Sequence, residues 1–65
     1  MKFVLEIQCV NAAFGDSDEG RAEEVGRILA ETAKKVSDGF TYVYLTDING
    51  NTVGTCKFKG AKDGN

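Results

Sequence analysis

Residues 40–58 read F-T-Y-V-Y-L-T-D-I-N-G-N-T-V-G-T-C-K-F, and this stretch decides the fold. Phe40 to Leu45 is dense in aromatic and β-branched residues, the composition of a strand. Asp47-Ile48-Asn49-Gly50-Asn51 follows as a turn, because Asn-Gly between two apolar runs is a strong short-range hairpin signal. Thr52 to Phe58 is the returning strand. Two turns fit. A type I turn with a glycine bulge sets Leu45 opposite Val53 and Tyr44 opposite Gly54. A two-residue type I′ turn sets Leu45 opposite Gly54 and Val43 opposite Cys56. A one-residue slip exchanges partners along the ladder, and the residues leave both registers open. The same turn imitates the start of a calcium loop, with Asp47, Asn49 and Asn51 at loop positions 1, 3 and 5. The match then fails, because position 6 is Thr52 where Gly is required and position 12 is Phe58 where Glu is required.

Outward from the hairpin, Ser37-Asp38-Gly39 ends a helix, with Gly39 suited to the left-handed position after the cap. The helix starts in Asp16-Ser17-Asp18-Glu19. Asp16 as N-cap with Glu19 three residues on has capping-box spacing, and Asp18 is the alternative cap. Acids crowd the first turns and Lys34-Lys35 lie near the end, as the helix dipole favours. Val25, Leu29, Thr32 and Val36, flanked by Ala22, Ile28 and Ala33, predict one buried stripe. Gly26 borders it, and close approach of helix to sheet would explain its place there. Before a connection at Asn11–Gly15, Lys2 to Val10 alternates with period two and predicts the first strand, with Phe3, Leu5, Ile7 and Cys9 on one face.

The order is β-α-β-β, an α+β fold of two layers with one helix packed on a three-stranded sheet. Placing the third strand between the other two gives order 1-3-2 and a fully antiparallel sheet. Order 1-2-3 with a right-handed parallel crossover is the alternative. Residues 1–58 form a single domain, and 59–65 are expected as a flexible tail.

The chain has 65 residues, enough for one domain with a thin core. It contains no His, which excludes Ser-His-Asp and Cys-His catalysis and Cys₂His₂ zinc fingers. Cys9 and Cys56 read as small buried apolar residues of a reducing compartment. The glycines are scattered and form no phosphate-cradling loop. No catalytic residue, metal ligand or cofactor is expected, and the protein reads as a non-enzyme. No apolar run is long enough to span a membrane, and Glu6 interrupts any signal-peptide core, so the expected location is the cytoplasm.

The formal net charge of −2 divides unevenly. Residues 1–56 hold nine acids against five bases, or −4, and residues 57–65 hold three lysines against Asp63, or +2. An acidic body repels phosphate, so a basic protein surface is a more plausible partner than nucleic acid. Glu23–Arg27, Glu31–Lys35 and Glu24–Arg27 have pairing distances on a helix. On the hairpin, Val43 and Leu45 share one face and Tyr42, Tyr44, Thr46 and Ile48 the other. The face away from the helix keeps an apolar patch, either a partly solvated sheet face or an interaction surface.

The segment Asn11 to Gly54, with N-A-A-F-G, an acid-started helix and L-T-D-I-N-G-N-T-V-G, resembles small β-α-β-β proteins encoded by phages and prophages. Its size and acidity also resemble anti-CRISPR inhibitors, some of which mimic DNA on Cas complexes. The resemblance implies an inhibitor in the cytoplasm of a bacterial host that occludes a nucleic-acid-binding Cas subunit, with monomer and homodimer both open. The candidate partner-binding residues are Glu6, Asp16, Asp18, Glu19, Glu23, Glu24, Glu31, Asp38 and Asp47, with Tyr42 and Tyr44 as anchors. The alternative is a structural protein that dimerises through its open sheet face.

Overall fold

The computed structural model describes residues 1–60. Strand β1 (Lys2–Ile7) leads through a single 3-10 turn at Ala12–Phe14 into helix α1 (Asp18–Ser37). Strands β2 (Tyr42–Thr46) and β3 (Thr52–Lys59) complete the chain. The sheet order is β1-β3-β2 and both pairings are antiparallel, so the α+β arrangement with order 1-3-2 holds. The helix returns the chain across the sheet, so β1 and β2 run the same way and β3 fits between them. Of the tail expected at 59–65, Lys59 is instead the last residue of β3 and pairs with Lys2, and residues 61–65 lie outside the described residues.

The hairpin combines the two expected turns. Asp47 N–H donates to Asn51 O at 2.9 Å and Gly50 N–H donates to Asp47 O at 3.0 Å, with Gly50 at φ +87°. This is the three-residue loop with its glycine bulge. Yet Leu45 pairs with Gly54 and Val43 with Cys56, the register tied to the shorter turn. The register shifts between Leu45 and Thr46, which pairs with Thr52, so Val53 is an extra residue on β3. That second bulge lets Val53 and Cys56 both be buried although they are three residues apart.

The core holds Phe14, Ile28, Val43, Leu45, Val53 and Cys56, with Leu5, Ile7, Cys9, Ala13, Val25 and Val36 packed against it. Phe14, in the segment read as a mere connection, is fully buried. Its 3-10 turn is capped by Asn11, whose Oδ1 accepts from Ala13 N–H. The helix stripe is centred on Glu24, Ile28 and Thr32 rather than on Val25 and Leu29, which corrects the expected face by about one residue. Leu29 is exposed. The N-cap is Ser17, not Asp16 or Asp18, and its hydroxyl accepts from Gly20 N–H at 3.0 Å. A serine oxygen serves this bond as well as a carboxylate does. At the other end Gly39 has φ +101°, and the bonds Gly39 N–H to Val36 O and Phe40 N–H to Lys35 O form a Schellman motif, as expected. β1 stops at Ile7 instead of Val10, and β2 starts at Tyr42 instead of Phe40. Cys9 therefore lies outside the strand, half-buried, and both thiols are free.

Two glycines part company. A Cβ on Gly26 would meet nothing within 4 Å, so close packing does not account for it. A Cβ on Gly54 would lie 1.9 Å from the Glu6 carbonyl oxygen, a backbone atom of β1. Gly26→Ala should therefore raise stability by about 0.5–1 kcal/mol in thermal or urea unfolding. Gly54→Ala should push β1 off the sheet and lower the melting temperature sharply. A neutral effect of Gly54→Ala would contradict this register.

Candidate functional site

Alternation on three strands builds two sheet faces. On the inner face Phe3 stands opposite Phe58, and Leu5, Cys56 and Val43 form a row. On the outer face Lys2 stands opposite Lys59. Val4, Lys57 and Tyr42 form a second row there, and Glu6, Thr55 and Tyr44 a third. Helix α1 packs on the inner side, against β2. Tyr42 and Tyr44 are exposed, with their rings edge-to-face at 5.4 Å between centroids, and Lys57 Nζ lies 5.9 Å from the centre of the Tyr42 ring. Lys2, Val4, Glu6, Thr55, Lys57 and Lys59 line a shallow depression of about 310 Å³ on this face.

The candidate acids fall into three groups. Glu24 and Asp47 are buried, at 6% and 3% exposure, which removes both from any binding surface. Each is consumed internally. Asp47 Oδ1 accepts from the N–H groups of Asn49 and Asn51, both at 2.9 Å. Its Oδ2 accepts from the Asn11 amide at 2.8 Å and the Asn51 amide at 3.2 Å. The spacing that imitates a calcium loop thus gathers donors around one carboxylate. Glu24 receives Arg27 in a two-pronged pair at 2.8 and 3.0 Å, and its Oε2 also accepts from Ile48 N–H at 2.8 Å. Arg27 goes on to Glu31 at 3.0 Å and to the Thr46 carbonyl at 3.2 Å.

Burial pushes the Asp47 carboxyl up, but hydrogen bonds from Asn51, Asn11 and Asn49 together outweigh it and hold it below its ordinary value. The Arg27 hydrogen bond holds Glu24 below its ordinary value, against burial and with help from Ile48 N–H. Glu24 in turn, ahead of the opposing effect of burial, raises Arg27 further.

The second group lies at the start of α1. Asp16, Asp18, Glu19 and Glu23 are exposed, and Asp18 pairs with Arg21. Glu23 does not pair with Arg27 as its spacing suggested, because Arg27 is turned to Glu24 and Glu31. Among the described residues Asp16, Glu19 and Glu23 form no ion pair. The third group is dispersed. Glu31 is held by Arg27 and not by Lys35, Asp38 is the helix C-cap, and Glu6 lies among lysines on the outer sheet face. Tyr42 and Tyr44 are therefore not neighbours of the helix acids but stand on the opposite layer. Sequence spacing missed Asn11 and Arg27 as the links between elements. The only local signal was a polar side chain before a buried aromatic at Asn11.

Among the described residues no group of three or more Cys, Asp and Glu side chains could hold a metal ion, and no helix is long and apolar enough to cross a membrane. Compared with known proteins, the chain matches no family model, no curated protein and no solved structure.

Both buried carboxyls have lowered folded pKa values, so their contribution to stability is complete above the unfolded values near 4 and is lost as pH falls through the folded ones. Unfolding free energy should hold between about pH 7 and about pH 5 and decline below about pH 4. Asp47→Asn should lower the melting temperature at neutral pH, because its amide donor would face the Asn11 and Asn51 donors. It should also flatten the acid limb. An unchanged limb in both Asp47→Asn and Glu24→Gln would show that other groups set it.

Proposed function

We propose that this protein is a non-enzymatic inhibitor of the phage type, anti-CRISPR-like in action. In this reading it occludes the nucleic-acid-binding surface of a host protein, most specifically a Cas subunit. The observation that carries the reading is the acidic start of α1. Asp16, Asp18, Glu19 and Glu23 face solvent together, with Arg21 as the near counter-charge. Carboxylates spaced over two helical turns offer a basic groove a row of negative charge in place of phosphates. Glu24 and Asp47 support this surface from within by holding the helix and the connection before it to the hairpin, and take no part in contact. The alternative, a homodimer through the outer sheet face, would have to bring together two faces that each carry three lysines against one glutamate.

A plaquing assay in a host with active CRISPR immunity tests the reading. Expression of the protein should restore phage growth, and the purified protein should bind the Cas complex in a salt-sensitive manner. The triple change Asp16→Asn, Glu19→Gln, Glu23→Gln should weaken that binding at least tenfold, chiefly through slower association, with little effect on melting temperature. Unrestored plaquing together with no salt-sensitive binding would sink the proposal.

A further inference from the structure

The outer face of the sheet has a charge opposite to that of the whole chain. Lys2, Lys57 and Lys59 stand there against Glu6 alone, so this face is +2 within a protein of −2. Lys57 and Lys59 form a short line on successive outward positions of β3, and Lys2 on β1 broadens one end of it. Lys59 pairs with Lys2 at one end, and Lys57 follows two residues along β3 in the next row. Beside that line, on the edge strand β2, are the exposed rings of Tyr42 and Tyr44, 48% and 63% accessible. Two aromatic side chains on successive outward positions of a strand are ordinarily covered when their role is packing; here both are open to solvent. The chain-wide charge argued against phosphate contact, but that argument averages over two layers whose signs differ.

We infer that the outer sheet face binds single-stranded nucleic acid, with the lysine line along the phosphates and the two tyrosines as stacking platforms for bases. The chemistry on the face suits this occupant. Ammonium groups contact phosphates without sequence preference, and ring faces stack with any base. A duplex is a poor occupant, because its bases are already stacked and hidden from the tyrosines. Lys57 serves both parts, since its ammonium group lies over the Tyr42 ring and next to the line of phosphates. Glu6 sets the end of the track beside Tyr44, where a phosphate would be repelled. The inference does not rest on the acidic start of α1, which lies on the other layer, and either surface can fail alone.

The test is fluorescence anisotropy of labelled oligo-dT and oligo-U of about ten nucleotides with the full chain, read together with quenching of tyrosine emission. Binding should weaken with salt, with log K falling on log salt at a slope of about −2 for three lysine–phosphate contacts on a single strand. Tyr44→Ala should weaken binding roughly 5- to 100-fold. Lys57→Gln together with Lys59→Gln should flatten the salt slope to about −0.7, the value for the one contact left. A thermal melt of each variant separates lost binding from lost fold, and Lys34→Gln, at an exposed lysine of α1 away from this face, serves as a variant that should leave oligonucleotide binding intact. Three results would overturn the inference: no binding at low salt, binding indifferent to the tyrosine and lysine changes, or light scattering showing a dimer that hides the tyrosines.

Discussion

Two carboxylates taken out of water govern this fold. Glu24 and Asp47 are buried in a domain too small to spare much apolar area, and an unpaired buried charge would cost it more than it can lose. Each is therefore surrounded by donors from its own element and by one from another, Asn11 for Asp47 and Ile48 for Glu24. Asp47 gathers the backbone of its own turn and the side chain of Asn11, which also caps the turn carrying Phe14. Glu24 gathers Arg27 and the backbone of Ile48. The hairpin, the helix and the connection before it are thus tied at one end of the molecule, and the apolar core packs beside that tie. Arg27 completes it by bonding the Thr46 carbonyl next to the register shift in the ladder.

The far end of the molecule is looser. Phe3 and Phe58 meet edge-to-face at 5.0 Å, yet both stay more than two-fifths exposed, as does Leu29 of the helix. One helix cannot cover three strands, and α1 packs toward β2, the strand that its polar contacts hold. The inner row nearest the end of β3 is left half open.

The same geometry separates charge. Helix acids lie on one layer, and strand alternation sends Lys2, Lys57 and Lys59 to the other side of the sheet. The formal net charge of −2 conceals an acidic helix start and a basic sheet face. Two binding readings with partners of opposite sign are compatible within one small domain because the sheet stands between the two surfaces.

Local patterns in the chain determined a good deal. Period-two runs, the Asn-Gly turn and Gly39 after the helix led to the element order β-α-β-β, since each is written in neighbouring residues and needs no distant partner. Order 1-3-2 over 1-2-3 rests on β1 meeting β3, a distant pairing. Alternation put Tyr42 and Tyr44 on one face of the hairpin, and the helix packing on the other face left them exposed. Other features depend on residues far apart in sequence, and only the tertiary structure decided them. Val53 as an extra residue arises from fitting β3 between two neighbours, with Gly54 pressed against the Glu6 carbonyl. The burial of Phe14 needs Asn11 to reach Asp47, 36 positions away. Glu24 and Asp47 look like surface acids because the donor that draws each inside, Ile48 N–H or the Asn11 amide, lies on another element. Composition counts a charge wherever it falls along the chain. Packing determines whether that charge faces water, a lysine or the inside of the protein.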